Sequence, residues 1–318
     1  MTANARTCLL LAAASGLAWR CSSASSPPGA APPALTHRVD LRVPAAPRLL
    51  FAVVGDTRPP QVDATASYPT DVIDQIYADL EALVPRPSFV VSTGDYMFAS
   101  DGSGQAPAQL ELYLRARARY GGPLFPAMGN HECTGATDSN CGPGATDGIT
   151  EPYAAFLENL IKPLGIDRPF YVVAAASAGG AWTAKVVVIA ANAWSTEQAE
   201  WLDGVLSAGT TYTVVVRHEP AATTTAPGVA PSEAILARHP YTLSIVGHTH
   251  TYERSRGAPR EVVIGNGGAP LSGKKPYGFA LISQRDDGAL EVNVIDSQTG
   301  ERDEAFRFAL QADGGPAP

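Results

Sequence analysis

The chain of 318 residues is short of several things, and each shortage removes a class of protein. Its four cysteines are too few for a disulfide-built scaffold or a cysteine-rich metal module. Basic residues are outnumbered, 23 against 31 acidic, for a net charge of −8, and no Lys/Arg-rich run stands out. Nothing therefore invites nucleic acid or an anionic membrane surface, and no nucleic-acid binding is expected. No apolar stretch is long enough to cross a bilayer, and no internal repeat is visible. What remains is a chain that is 45% apolar, enough for one sizeable core or two smaller ones.

The beginning reads as an export signal over residues 1–21. Arg6 precedes an apolar stretch from Cys8 to Trp19, which is too short to span a membrane but suits a signal core. Cys21 follows Leu17-Ala18-Trp19-Arg20, similar to a bacterial lipoprotein signal except that Arg20 is wrong before the cysteine. Two outcomes stay open: lipidation of Cys21, the only route to a membrane, or simple cleavage nearby. Residues 22–48 are rich in Ser, Ala and Pro and predict a flexible tether. The main domain is expected over 49–310, with a loose tail at 311–318. The expected location is periplasmic or secreted, as a monomer or dimer.

Within the main domain, five apolar runs of strand length each end in polar residues. Leu49–Val54 ends in Gly55-Asp56-Thr57-Arg58. Ser88–Thr93 ends in Gly94-Asp95, and Pro123–Met128 in Gly129-Asn130-His131-Glu132. Thr213–Val216 ends in Arg217-His218-Glu219, and Thr242–Val246 in Gly247-His248-Thr249-His250. Polar groups at the ends of buried strands are where α/β folds keep their sites. Four of the six histidines lie in these segments. Taken singly, each is weak: Gly-Asp after a strand is usually a plain turn, Asn130 a turn residue bonding its own backbone, and His218 a satisfied histidine. Repeated five times in order, the arrangement points to a metal-binding centre, since imidazole and carboxylate are standard ligands for zinc, iron and related metals.

The set resembles the calcineurin-like metallophosphoesterase superfamily, and within it the purple acid phosphatase-like branch. That branch is also matched by Val215-Val216-Arg217-His218, Tyr252-Glu253-Arg254, Gly265-Asn266-Gly267-Gly268 and the Gln198–Leu206 stretch with Trp201-Leu202. The resemblance spans about Leu49 to Ser283. It implies two packed mixed β-sheets flanked by helices, an α/β fold in four layers. It also implies two divalent ions, Mn, Zn or Fe, that share a hydroxide and clamp a phosphate at about 3.5–4 Å from each other. On this resemblance Asp95 bridges the pair, Asp56 and His250 hold the first ion, and Asn130, His218 and His248 hold the second. The implied activity is hydrolysis of a small phosphomonoester, with a phosphodiesterase of the same fold, or a non-catalytic metal- or ligand-binding protein, as alternatives. His131 is a candidate proton donor to the leaving group, or else supports Asn130 or a carboxylate. Glu132 either orients an imidazole or is a solvated loop charge.

Two residues depart from the family pattern. Arg58 stands two after Asp56, where the family has His or Gly, and a guanidinium has no lone pair to give a metal. It grips a phosphate oxygen, or pairs with Asp56 or a surface acid. Phe98 stands where the purple enzymes have Tyr, so a colourless protein is expected. Cys133 and Cys141 share one loop, and in an oxidising compartment they predict a disulfide, with an extra metal site as the rival. The loop Thr134–Gly148 is a candidate for shaping substrate access. Periodicity predicts helices over Thr70–Leu83, Ala108–Tyr120 and Thr196–Leu206, the last capped by Ser195, with Arg115, Arg117 and Arg119 solvated. Further strands are expected at Val186–Ala190, Gly278–Ser283, Leu290–Asp296 and Ala305–Ala309.

Overall fold

The computed structural model describes residues 36–44, 46–136, 141, 149–222, 225–255 and 257–318. The expected export signal, Cys21, most of the tether and most of the 134–148 loop lie outside these residues. Among the described residues no helix is long and apolar enough to cross a membrane.

The chain forms two mixed sheets. The first strand, β1 (Arg38–Val43), is followed by β2 (Leu50–Val54), α1 (Thr70–Ala82), β3 (Val90–Ser92), α2 (Gln105–Arg117) and β4 (Leu124–Pro126). Then come α3 (Glu151–Phe156), β5 (Tyr171–Ser177), β6 (Thr183–Val188), α4 (Thr196–Ser207), β7 (Tyr212–Val216), α5 (Val229–Leu236) and β8 (Leu243–Val246). The remaining strands are β9 (Tyr252–Arg254), β10 (Glu261–Ile264), β11 (Gly278–Gln284), β12 (Leu290–Asp296) and β13 (Phe308–Leu310). The six-stranded sheet runs β13-β12-β11-β2-β3-β4, and the seven-stranded sheet β1-β5-β6-β7-β8-β10-β9.

Each sheet has a parallel stretch made by crossovers through helices. β2, β3 and β4 pair in parallel through α1 and α2; β6, β7 and β8 pair in parallel through α4 and α5. β3, β7 and β8 are buried along their whole length, which suits Val-rich runs covered on both faces. On α1 the buried residues Ile73, Ile76, Tyr77 and Leu80 recur at helical spacing and make the face that packs inward. α4 starts as expected: Ser195 Oγ accepts from Gln198 N at 3.1 Å. One contiguous apolar core runs from β2–β4 through β6–β8 to β11 and β12.

Several boundaries differ from the sequence reading. β1 falls inside the expected tether: Arg38, Asp40 and Arg42 mask the period-two alternation of Val39, Leu41 and Val43, and the strand pairs in parallel with β5. The expected loose tail is folded back. Leu310 bridges Pro316, Gln311 N donates to Gly315 O, and Thr242 Oγ1 holds Ala312 O at 2.6 Å. α2 begins at Gln105, because Pro107 sits in its first turn, where the missing N–H costs nothing. Of the three arginines expected to be solvated, Arg115 and Arg119 are exposed and Arg117 is half-buried. β6 lies three residues before its expected start, and β13 three residues after. β5, β9, β10, α3 and α5 carried no prior expectation.

β6 also brings Lys185 inside. Its ammonium donates to the carbonyls of Val205, Leu206 and Ala208, where α4 ends. Replacing Lys185 with Met keeps the stem but removes the shared donor from these carbonyls, of which those of Val205 and Leu206 belong to buried residues. Lys185→Met is expected to lower unfolding free energy by about 1–3 kcal/mol, read as a shifted urea midpoint with an unchanged slope.

Candidate metal centre

The parallel strands of both sheets end at the same place, and all five motifs meet there. Asp56 follows β2, Asp95 follows β3 and Asn130 follows β4; His218 follows β7, while His248 and His250 follow β8. Backbone bonds lock these ends together. Asp56 N donates to Gly94 O, Gly247 N to His218 O, Gly267 N to Gly55 O and Ala269 N to Asp56 O. Among the described residues only six non-glycine positions have positive φ, and four are Asp56 (58°), Asp95 (60°), His248 (74°) and His250 (50°). Backbone strain of this kind costs about 1–3 kcal/mol per residue and gathers at functional sites. The glycines beside them leave room for the carboxylates: a Cβ on Gly247 would lie 2.4 Å from Asp56 Oδ2, and one on Gly129 2.2 Å from Asp95 Oδ1.

At one end of the site, lone pairs converge. Asn130 Oδ1 lies 3.1 Å from His218 Nε2 and 3.0 Å from His248 Nδ1, and the two ring nitrogens are 3.3 Å apart. Asp95 Oδ1 lies 3.3 Å from the same His218 Nε2. His218 donates its Nδ1–H to Thr93 O at 2.8 Å, which turns Nε2 toward the cluster. A buried gathering of acceptors needs a cation or a proton among them. Burial lowers the affinity of His218 for a proton, but Asp95 outweighs it and pushes the imidazolium up to about 10. Burial would raise Asp95 as well, yet His218 and then His131 outweigh it and hold the carboxyl well below the usual range.

The other end holds Asp56, His250 and Arg58. Donor atoms of Asp56, Asp95 and His250 all lie within 4.8 Å of one another, close enough to share one ion. The Asp56 carboxylate accepts from His248 N at 3.0 Å, and burial holds it well above the usual range, against the pull of His218. His250 donates Nδ1–H to Pro270 O at 2.9 Å, leaving Nε2 toward the centre. Arg58 reaches in: its Nε is 3.6 Å from Asp95 Oδ2 and its Nη2 is 3.3 Å from His250 Nε2. Its closest carboxylate is thus Asp95 rather than Asp56 or a surface acid.

Phe98 forms the wall beside this end. Its ring stands between the Arg58 guanidinium, 4.8 Å from its centroid, and the His131 ring, at 4.1 Å between centroids. His131 points its Nε2 to 3.7 Å from Asp95 Oδ2, while its buried Nδ1 has no partner. Burial pushes His131 down to about 4 against the pull of Asp95, so the free ring is neutral near pH 7. Tyr96 turns away, its hydroxyl donating to Ala127 O. Asn130, His131, Arg58, Phe98, His248 and His250 are all half-buried and form the open side of the cluster. A cavity of about 670 Å³ lies elsewhere, against β1, β5 and β6.

Support comes partly from residues whose role the sequence did not show. Glu132 neither orients an imidazole nor meets solvent. It is buried and accepts the N–H groups of Asp95, Tyr96 and Gly129 at 2.6–3.0 Å, clamping the β3 turn onto the β4 turn. Arg217 is fully buried and pairs with Glu261 at 3.2 Å and Glu233 at 2.7 Å, and its Nε donates to Glu219 O. Glu219 in turn accepts from Asn192 Nδ2 and Ala226 N. Cys133 and Cys141 form a disulfide that begins three residues after Asn130, so the rival reading of an extra thiolate site falls.

Two sheets whose parallel strands deliver carboxylates, an amide and imidazoles to one point define a metal-dependent hydrolase fold. Residues 49–252, more than half of the chain, match the calcineurin-like phosphoesterase family, and the chain belongs to it. No curated protein sequence matches significantly. Among solved structures the chain is similar to GAP50, the anchor in the inner membrane complex of Plasmodium (15% identity, TM-score 0.57, covering 84% of this chain and 90% of that one). It is also similar to the purple acid phosphatase PPD1 from yellow lupin (Lupinus luteus) seeds (15%, 0.56, 80% of this chain and 52% of that one). A dimetal phosphatase from Danio rerio is comparable (13%, 0.55, 83% and 99%). At such identities these likenesses speak for the fold.

The buried Arg217 network lies at the residues on either side of His218, Arg217 and Glu219. Arg217→Met leaves Glu261 buried with its charge uncompensated, and is expected to cost about 3–5 kcal/mol in denaturant unfolding. A Glu261→Gln second substitution should recover part of that loss.

Proposed function

We propose that the chain is an exported phosphomonoesterase that works with two divalent ions, Mn, Zn or Fe. The observation that carries this reading is the convergence of Asn130 Oδ1, His218 Nε2, His248 Nδ1 and Asp95 Oδ1 within about one coordination sphere. Asn130, His218 and His248 would hold one ion, Asp56 and His250 the other, and Asp95 would reach both. When bound, such ions supply Lewis acidity toward phosphoryl oxygens and a nucleophile from water near neutral pH. The amide of Asn130 adds a ligand without charge, which keeps the site receptive to an anion. The disulfide supports an oxidising compartment and hence export.

The chain's own groups do the rest. His131 stands at the open side with its backbone N–H on Asp95 Oδ1 at 3.1 Å, and its ring would donate to a leaving-group oxygen. Phe98 packs against both His131 and Arg58 and so limits how far either can swing. Arg58 offers its guanidinium fork to a phosphate oxygen, offsetting the acidic balance of the chain. Phe98 has no phenol to bind iron, so the loaded protein should be colourless.

The test is hydrolysis of nitrophenyl phosphate and its matched diester by protein stripped with chelator and refilled with Mn(II), Zn(II) or Fe(II). Turnover should vanish on stripping, return with metal and favour the monoester; preference for the diester would reassign the substrate class. His131→Ala should cut kcat by roughly 10²–10⁴ with metal content unchanged. At saturating metal, Arg58→Ala should raise KM by roughly tenfold to a hundredfold. Metal bound without turnover on either ester would favour a binding protein instead.

A further inference from the structure

We infer that Arg58 is the resident cation of the Asp56–Asp95–His250 end, so that a divalent ion enters there only by displacing the guanidinium. The two ends of the centre then fill in separate steps. The inference rests on the metal-dependent reading above and concerns how the chain controls its own loading.

The geometry is specific. A guanidinium only donates, so His250 Nε2, 3.3 Å from Arg58 Nη2, must present its lone pair to Arg58. That tautomer is also required by the His250 Nδ1–H donated to Pro270 O. The lone pair a metal would use at this end is therefore already engaged. Arg58 Nε is buried, has no hydrogen-bond partner and lies 3.6 Å from Asp95 Oδ2, so it serves as a counter-charge to the carboxylate. Two further contacts fix the group: Nη1 donates to Pro59 O at 3.0 Å, and the Phe98 ring faces the Cζ at 4.8 Å. Phe98 and Arg58 thus belong together; an aromatic face beside the cation suits this chain's departure from a ligand at position 58.

The opposite end has a different character. Asn130, His218 and His248 bring three lone pairs to one point, with the Asp95 carboxylate beside them. A divalent ion there meets these lone pairs directly. At the Arg58 end it meets a permanent positive charge that cannot be titrated away. Once displaced, the guanidinium is released from His250 and Asp95 and becomes available to a phosphate oxygen. Loading of the first site and grip on the substrate are then linked through one side chain.

The test is a Mn(II) titration of the stripped full-length protein, followed by calorimetry and by electron paramagnetic resonance. The wild type should bind one equivalent as a magnetically isolated ion and a second roughly a hundredfold more weakly. Arg58→His removes the charge and adds a lone pair. It should bind two equivalents within roughly tenfold of each other and show an exchange-coupled signal. Arg58→Ala removes the charge alone and should tighten only the second step, which keeps the test available if the histidine variant misfolds. Two equal steps in the wild type, or a second step as weak in both variants as in the wild type, would overturn the inference. If the wild type then hydrolyses phosphoesters, only the role of Arg58 falls. A folded wild type that binds no Mn(II), Zn(II) or Fe(II) overturns the metal-dependent reading, and this inference with it.

Discussion

The structure depends on one constraint: acceptor atoms from five loops are pressed together around Asp95 and must be neutralised. Asn130, His218 and His248 face one another at 3.0–3.3 Å beside a carboxylate that is 1% exposed. Such a cluster is costly unless something positive sits in it. Everything around it serves to hold that arrangement. Glu132 clamps two turns by their N–H groups, Thr93 O and Pro270 O set the tautomers of His218 and His250, and glycines clear the space that side chains would fill.

The fold explains why these loops meet. Parallel pairing through α1 and α2 in one sheet, and through α4 and α5 in the other, points every carboxyl strand end the same way. The ends are then cross-tied by backbone bonds from Gly267 and Ala269 to Gly55 and Asp56. Strain is stored here as left-handed backbone at Asp56, Asp95, His248 and His250, and is offset by the core of buried valines behind. The site is rigid behind and open at Arg58, Phe98, His131 and Asn130.

Much of the site was legible in the sequence because each ligand candidate follows a short apolar run and a turn. That pairing of pattern and chemistry drew attention to the six candidate ligands, while their grouping and the two departures, Arg58 and Phe98, came from the family resemblance. The runs and the helical stretches between them gave an α/β chain with a βαβ order at its start; the two mixed sheets came only with the family resemblance. What stayed hidden were residues whose role depends on distant partners. Glu132 reads as an imidazole orienter or a loop charge, yet its partners are main-chain N–H groups of Asp95 and Tyr96, 36–37 residues away in sequence. Arg217 reads as a neighbour of His218, but its meaning comes from Glu261, 44 residues on. β1 was hidden because charges alternate with its apolar residues, and the tail because its order comes from pairing with β13 rather than from its own composition.

The central claim is that the Asp95 cluster is a cation site rather than a hydrogen-bonded core. Anomalous diffraction at the Mn absorption edge, from crystals grown with Mn(II), tests it directly. The account predicts the strongest anomalous peak among Asp95, Asn130, His218 and His248, with any weaker peak lying toward Asp56 and His250. A well-ordered structure with no peak there, and His218 Nε2 still in contact with Asp95 and Asn130, would contradict it.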